Sequence, residues 1–343
     1  MHKRVVPHLA LPALALASAA AAAIPPIPEE SGWSGHVGLG IGAASSETNM
    51  VDGLSSFDLG QEKISSLDDS PGSEDLALPT INFEVAYTLA DSRTQFHLGN
   101  HMADYITFDQ DTSIETHLGI RQAVAEVGRF GVALVTSPMA TDVWKDPYLV
   151  GEKRGDTERS SFGLTVGWDE VLGTPLAIDW TAKEIDLDDE DSGKSLSLSA
   201  AEQKLLKRTG NVYRVNASYR FVVSPHHTLV PRIGYVDFDL DGGAMEQDGI
   251  ALGLDYEYQR DRWRFLGKLS YQGLESSSRN PIFGDKREVD TTAVSATLVY
   301  DKPFGWQDWA ATATAAYTDG DANIDFYESS FGMVSIGMLY RFD

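Results

Sequence analysis

Apolar and polar residues alternate with a period of two in segments that recur along most of the chain. From Ile81 to Leu89 every second residue is large and apolar, and 213–221 and 250–258 repeat the pattern. Such a strand has one apolar and one polar face. Each segment is close to the roughly 9–11 residues with which a tilted strand crosses a bilayer. The segments are 33–44, 79–90, 94–103, 113–124, 129–138, 160–169, 175–187, 210–222, 227–238, 249–260, 262–274, 290–300, 307–318 and 330–342.

The connections between these segments alternate between short and long. The short ones lie at 91–93, 125–128, 170–174, 223–226, around Asp261 and at 301–306. The long ones lie at 45–78, 104–112, 139–159, 188–209, 239–248, 275–289 and 319–329. This alternation is typical of outer-membrane barrels. We therefore predict an all-β fold, a transmembrane up-and-down antiparallel β-barrel of about 14 strands (12 is also possible), with both termini on the short-turn side.

Aromatic residues mark both ends of the predicted apolar face. Trp33 and Trp263 lie near short turns, whereas Trp180 and Tyr235 lie near long loops. Rings at these two levels predict the girdles that outer-membrane barrels place at the lipid–water interfaces. In a soluble β-sandwich the outward residues should instead be polar and the aromatic residues scattered.

The first 23 residues have the features of a secretory signal peptide. A basic start at 2–4 is followed by a short apolar stretch, and Ala21 and Ala23 supply the small residues before a cleavage site. Cleavage near Ala23 would leave a short periplasmic segment, 24–32, ahead of a barrel spanning 33–343. We therefore expect export to the bacterial outer membrane. The chain has no cysteine, which excludes disulfides, thiolate metal sites and cysteine nucleophiles.

Two segments resemble known outer-membrane proteins. The last strand, Val334 to Phe342 before Asp343, resembles the terminal signal of such barrels, which implies recognition of 330–342 by the barrel-assembly machinery. The opening at 25–35, with Gly32, Trp33 and Gly35, and the segment 94–99 are similar to an uncharacterised proteobacterial outer-membrane family, catalogued only as a domain of unknown function. That resemblance implies a barrel and brings no catalytic residues.

The formal charge of −24 is concentrated in the predicted long loops, which carry 32 acidic and 12 basic side chains. So acidic a chain is not expected to bind nucleic acid. The loops are either simply solvated or form a negative vestibule that repels anions, binds divalent cations or bridges to lipopolysaccharide. Outer-membrane lipid and lipopolysaccharide are the expected surroundings.

If the apolar faces contact lipid, the polar faces line a lumen that carries charge of both signs. Two interpretations remain open. The charges either pair across neighbouring strands and rigidify a closed wall, or a basic stripe lines a pore and guides small polar or anionic solutes. The lumen-lining candidates are Arg214, Arg220, Arg232, Arg264, Lys268, Asp255, Glu257, Glu84, Arg121 and Lys183.

Two other local patterns point to possible structure or chemistry. Ser199 three residues before Glu202 predicts a capping box at the start of a short helix, with Gly210 as its C-cap, folded either into the lumen or over it. His101, Glu115 and His117 flank one long loop, where such a set could ligate a transition metal but more often forms a polar cross-strand cluster.

These patterns favour a diffusion channel, similar to a porin, for small polar or charged solutes, with no cofactor and no enzymatic activity. Its charged inward face would line the conduit, and segment 24–32 is too short to plug it. The alternative is a closed structural or surface-interaction barrel whose acidic loops bind a partner. A third hypothesis is a barrel enzyme around His101, Glu115 and His117.

Overall fold

A computed structural model describes residues 26–54, 57–100 and 115–343. The predicted signal peptide and His101 lie outside these residues. The strands are β1 Gly32–Glu47, β2 Val51–Leu54, β3 Phe57–Asp58, β4 Ser73–Leu89, β5 Thr94–Asn100, β6 Thr116–Val124, β7 Gly128–Thr136, β8 Thr141–Trp144, β9 Asp156–Asp169, β10 Leu176–Leu187, β11 Gly210–Tyr219, β12 Phe221–Ser224, β13 His227–Leu240, β14 Gln247–Arg260, β15 Trp263–Ser276, β16 Glu288–Asp301, β17 Trp309–Ala322 and β18 Ser329–Phe342. Within these ranges the helices are α1 Ala200–Lys204 and three 3-10 turns, Val171–Gly173, Pro303–Gly305 and Asp325–Tyr327.

Within the described residues, fourteen antiparallel strands close into one barrel, as the alternation predicts. Each strand pairs with its neighbours along the chain, and β1 pairs with β18 to complete the ring. Strands β11 and β12 together form one of the fourteen barrel strands, which is interrupted at Arg220. Strands β2, β3 and β8 are not part of the barrel and lie in the long connections. Gly32 pairs with Thr88 and Gly35 with Phe342, so β1 begins and β18 ends on the short-turn side.

The outward face carries a continuous band of exposed apolar side chains. Leu39, Ile41 and Ile336 are 61–70% exposed although they sit in the middle of long strands. Aromatic rings flank this band, among them Trp33, tilted against Tyr87, on the short-turn side and Trp180 and Tyr235 on the other. Because soluble proteins rarely expose apolar surface on this scale, the band identifies the membrane-facing belt. None of the described helices is long and apolar enough to cross a bilayer.

Beyond the belt the strands continue on the long-loop side, and their two faces exchange character. On β13 the outward residues change from Ile233 and Tyr235 to aspartates, while the inward residues become Val236, Phe238 and Leu240, all buried. The same change occurs on β10, where Ile185 and Leu187 point inward and are buried. The strands therefore stand above the membrane and enclose an apolar interior there.

The long loops fold over this apolar interior and fill it. We call the described parts of the connections β1–β4, β7–β9, β10–β11, β13–β14, β15–β16 and β17–β18 the outer cap. Its core contains Tyr148, Met245 and Phe326, which are at most 1% exposed, packed on Phe238 from β13. The expectation of loops that are simply solvated is wrong for these residues. Their acidic side chains lie mostly on the outside, and apolar side chains hold them together.

The helix predicted in the β10–β11 connection is present and belongs to the outer cap. Ser199 caps α1 by accepting a hydrogen bond from the Glu202 amide at 3.3 Å, and Glu202 accepts one from the Ser199 amide at 2.7 Å. The prediction of Gly210 as its C-cap is wrong. The helix ends at Lys204 with Leu205 as cap, because Leu206 turns down into the apolar core, where it is fully buried.

Candidate functional site in the barrel lumen

The lumen candidates lie inside the barrel, but most of them are paired with opposite charges. Arg121 on β6 is 6% exposed and makes a bidentate ion pair with Glu84 on β4, at 2.6 and 3.1 Å. It also donates to the Gln95 side chain on the intervening strand β5 at 3.1 Å. A guanidinium held by a carboxylate fork and an amide oxygen has a fixed position, which rigidifies this wall.

A second pair lies on the opposite side of the lumen. Arg232 on β13 donates to Asp255 on β14 at 2.7 Å, as an alternation of charge between neighbouring strands predicts. On the adjoining strands Asp179 accepts a hydrogen bond from the Asn216 amide at 2.8 Å. The Arg232–Asp255 and Asp179–Asn216 pairs both point into the barrel from strands whose outward residues contact lipid. The wall is therefore polar only on its inner side.

An ion pair also crosses the interior between strands that are not neighbours. Lys183 on β10 is 5% exposed and binds Glu115, which directly precedes β6, across the inner faces of β7 and β9. The side chain of Lys183 passes Gly163, which lies opposite it on β9 and next to Val135 on β7. A Cβ atom added to Gly163 would lie 2.8 Å from Cγ of Lys183. This pair narrows the lumen on that side.

The proposed metal set is not assembled among the described residues. His117 Nε2 lies 3.9 Å from Glu115, but Glu115 is already bound by Lys183. Across 26–54, 57–100 and 115–343, no three His, Asp or Glu side chains are grouped so that they could hold a metal ion. The third member, His101, lies outside this range, so the metal site and the polar cluster both stay predictions.

Near the short-turn side one carboxylate joins two arginines. Asp301, the last residue of β16, accepts from Arg341 at 2.7 Å and from Arg264 at 3.4 Å. The sequence predicts Asp301 in a turn, but β16 extends to it. Asp301 points inward because it continues the alternation of Thr297 and Val299, and this alternation could have indicated its position. At the same level Arg220 and Glu257 form a longer pair of 3.8 Å and are both partly exposed.

The wall formed by β16, β17, β18 and β1 is lined by small side chains. Its inward positions include Ser295, Thr314 and Ser335, and on β1 three glycines occupy alternate inward positions. A Cβ atom at Gly40 would lie 2.5 Å from Oγ1 of Thr80, so this wall has no room for a larger residue there. We call this the small wall, although it carries the Asp301–Arg341 pair at its short-turn end, and we call β4–β6 and β10–β15 the charged wall.

A cavity lies on the inner side of β11 and β13–β17, where the charged wall adjoins the small wall. Its basic side chains are Arg214, Arg232 and Lys268, and the rest of its polar lining includes Ser270, Gln272, Thr291 and Ser295. Arg214 also packs over the ring of Phe238, with its guanidinium carbon 5.4 Å from the ring centroid. We call this the middle cavity. It contains three of the sequence-predicted basic residues at the level of the belt.

A second cavity lies directly outside it, under the outer cap. Gln272 and Thr291 line both cavities, which are therefore stacked along the barrel. The centres of water molecules could occupy about 90 Å³ of this outer cavity, enough for several waters or a small organic molecule. Most of its lining is apolar, namely Met50, Val51, Val143, Ile185, Leu187, Phe238, Leu240, Met245, Leu274 and Val289.

Three arginines of the outer cap were not anticipated, because loop residues carry no periodic pattern. Arg154 is 1% exposed, donates to the carbonyls of Asn49, Pro147 and Gln61, and lies over the Trp144 ring at 4.2 Å. Burial lowers its pKa to about 10, although the field of nearby Asp52 and Asp146 opposes the shift. It ties two long connections together.

Arg208 and Arg287 border the outer cavity. Arg208 is paired with Glu190 at 3.1 Å and donates to the Trp144 carbonyl at 2.7 Å. Arg287 is 2% exposed, and burial lowers the pKa of its guanidinium. Among the described residues Arg208 has a carboxylate partner, whereas Arg287 has none.

The sequence matches one protein-family model over residues 32–341. The chain belongs to the DUF2860 family. Its description is "Protein of unknown function", so membership in DUF2860 supplies a family and no activity. Among curated proteins no sequence match was found.

Several solved barrels are similar to this DUF2860 chain over most of their length. A Pseudomonas aeruginosa FadL homologue is 10% identical, with 90% of each chain covered and a TM-score of 0.43. The CymD monoaromatic hydrocarbon channel is 12% identical, with 90% of this chain and 88% of that one covered and a TM-score of 0.47. The outer membrane channel DcaP of Acinetobacter baumannii is 10% identical, with 91% and 98% covered and a TM-score of 0.40.

Proposed function

We propose that this protein is an outer-membrane channel for small polar or charged solutes. The observation that supports it most is the asymmetric lumen, in which the middle cavity lies where a wall of small residues adjoins a wall of charged ones. A barrel that served only as a support could fill its interior with large side chains. Here glycine, serine and threonine keep one side of the interior open.

The outer membrane is the proposed location. The apolar belt with its aromatic girdles supports insertion into a membrane, and the predicted signal peptide, cleaved near Ala23, supports export. The C-terminal strand β18 has the alternation expected for recognition by the barrel-assembly machinery over 330–342. Lipopolysaccharide is the proposed neighbour of the acidic outer rim.

The charges of the lumen act mainly as paired, fixed dipoles in this proposal. Pairing of Arg232 with Asp255, of Arg264 with Asp301 and of Arg220 with Glu257 neutralises much of the predicted basic stripe. The middle cavity still combines Arg214, Arg232 and Lys268 with hydroxyl groups, a lining that can replace the hydration of a polar solute. The outer cap restricts passage at the outer end, so we expect low conductance unless the cap loosens.

Introducing a bulky residue into the lumen tests the channel. Ser295 on β16 lines the middle cavity, whereas Leu298 on the same strand points to lipid, is 41% exposed and does not line it. We expect Ser295→Trp to lower the single-channel conductance of the refolded protein in planar bilayers to roughly half or less, because it narrows the pore. The matched variant Leu298→Trp adds the same side chain outside the barrel and should conduct like the wild type.

A variant with a weakened cap makes a negative result decisive. Phe326→Ala removes a fully buried ring from the cap core. If the cap restricts passage, this variant should show a higher single-channel conductance or more frequent channel openings. If neither the wild type nor Phe326→Ala conducts any ion, the channel proposal is wrong. Equal conductance of the two tryptophan variants would show that current does not pass through the middle cavity.

The second candidate is a closed barrel that binds a partner through the outer cap. The packed, largely buried cap core favours it, since an ordered surface suits recognition better than mobile loops do. Replacing 191–198 by a short Gly-Ser linker should then abolish binding to the cell-surface partner without changing permeability. An enzyme around His101, Glu115 and His117 stays a prediction, which His101→Ala would test by loss of turnover.

A further inference from the structure

The buried guanidinium of Arg287 has no carboxylate partner among the residues that the structure describes. It donates to the Gln247 side chain at 2.6 Å and to the Met245 carbonyl at 3.4 Å, and it lies 4.6 Å from the centroid of the Tyr327 ring. Its Nε is buried and forms no hydrogen bond. A charge with so few partners is costly to bury, and an anion would offset that cost.

The other two buried cap arginines differ from Arg287 in having acidic side chains that act on their charge, although the Nε of Arg154 also forms no hydrogen bond among the described residues. Arg208 has Glu190, and Arg154 has three backbone carbonyls with two acidic side chains nearby. Arg287 instead faces the outer cavity, whose lining includes Arg159 and Arg208 besides the apolar residues named above. The carboxylate in that lining, Glu328, forms no ion pair with Arg287 among the described residues.

We infer that the outer cavity binds a small organic monoanion with an apolar body, whose anionic group pairs with the guanidinium of Arg287. The apolar body would contact Phe238, Met245 and Leu274, and the anionic group would receive the unused N–H groups. A bare inorganic anion would leave the aliphatic lining wet, and a neutral apolar molecule would leave Arg287 unpaired. Only the combined chemistry satisfies both parts of the site.

The route to the site is through the stacked cavities. Gln272 and Thr291 border both of them, so an anion that reaches the middle cavity lies next to the outer one. Such an anion would be a solute of the proposed channel, so the physiological role of the site rests on the proposed function. Binding of the anion can be measured independently of conductance.

Benzoate and benzamide form a suitable pair of probes, since they share one apolar body and differ in charge. We expect the refolded full-length protein in detergent micelles to bind benzoate at least about tenfold more tightly than benzamide, measured by isothermal titration calorimetry. Acetate, which has the charge but little apolar body, should also bind at least about tenfold more weakly than benzoate.

Variants assign the effect to Arg287. We expect Arg287→Gln to remove the preference for benzoate over benzamide. Arg279→Gln makes the same charge change in the same connection at an exposed arginine paired with Asp285, and should leave the preference intact. Glu328→Gln removes the negative charge from the lining and should tighten benzoate binding severalfold.

The outcomes separate this inference from the channel proposal. Equal affinity of the wild type for benzoate and benzamide, or equal loss in Arg287→Gln and Arg279→Gln, would overturn the inference even if the protein conducts. Benzoate binding that depends on Arg287 in a protein without conductance would support the site and reject the channel. If Arg287→Gln does not fold, Arg287→Lys keeps the charge without the planar fork and should bind benzoate more weakly than the wild type.

Discussion

The two ends of each long strand place the same kinds of residue on opposite faces. In the belt Ile233 and Tyr235 of β13 point outward and Arg232 points inward, whereas beyond the belt Phe238 points inward and Asp239 outward. Nothing in the backbone ladder changes between these levels, because β13 stays paired with β14 from His227 to Phe238. The surroundings alone differ, since lipid is replaced by water outside the barrel.

The comparison teaches that apolar side chains in this protein face whichever side lacks water. In the belt that side is lipid, and the interior can remain polar and open. Above the belt it is the interior, which therefore has to be filled, and the long loops supply Tyr148, Phe326 and Leu206 for that purpose. The cap is thus a soluble-protein core supported on a membrane barrel.

The largest expected effect comes from emptying the cap core. Phe238→Ala removes a fully buried ring and should destabilise the cap by about 3–5 kcal/mol, as large cavities in cores do. Phe96→Ala removes a ring from the lipid face, where Phe96 is 49% exposed. It should cost roughly 1 kcal/mol, because lipid chains replace the lost contacts. Hydrogen exchange of peptides from 188–209 and 323–328 measures the first effect, and denaturant unfolding from vesicles the second.

Similar losses for these two variants would contradict the comparison. They would mean that the cap interior is as adaptable as lipid, and that its loops are held by their acidic surface instead of their apolar core. A cap that exchanges freely in the wild type would have the same implication.

The next effect concerns charge on the outward face of one strand. Ile233→Arg introduces a cation on the lipid face, at a position 59% exposed in the belt, and should cost about 2–4 kcal/mol near the bilayer midplane. Asp239→Arg makes a larger change of charge six residues along the same face, but above the belt, and should change stability by less than about 1 kcal/mol. Denaturant unfolding of both variants in lipid vesicles measures the difference. Equal losses would place Asp239 inside the membrane.

The belt was predictable from sequence because a membrane imposes one rule on every strand. The fourteen segments follow from apolar residues at alternate positions over the width of a bilayer, and the terminal strand 330–342 nearly coincides with β18. The cap was missed although its signal was present. Between Tyr235 and Leu240 the apolar residues move from odd to even positions, which marks a change of face instead of the end of a strand.

The lumen candidates were also predictable in part. Alternation identifies Arg232 and Asp255 as inward residues, but their contact depends on the register of β13 against β14, in which Arg232 lies opposite Gly253. Lys183 and Glu115 meet across two intervening strands, and no local pattern contains that information. Arg287 lies in a loop, where neither periodicity nor turn chemistry indicates whether a side chain is buried.

The smallest expected effect is a pH dependence confined to the cap. Asp52 on β2 is half-buried, and burial, followed by repulsion from Asp156, Asp142, Asp58 and Glu62, raises its pKa to about 6. The folded pKa lies above the unfolded value, so the stabilising protonated form is fully present below about pH 4 and its contribution is lost as the pH rises through about 6. Solvent screening limits the effect to less than about 1 kcal/mol.

We expect the hydrogen-exchange protection of β2 and β8, corrected for intrinsic rates, to fall between pH 5 and pH 7.5 in the wild type and to change less in Asp52→Asn. Asp69→Asn, an exposed site in the same connection, should follow the wild type, and a wild type without this fall would show that Asp52 titrates as an ordinary surface carboxylate.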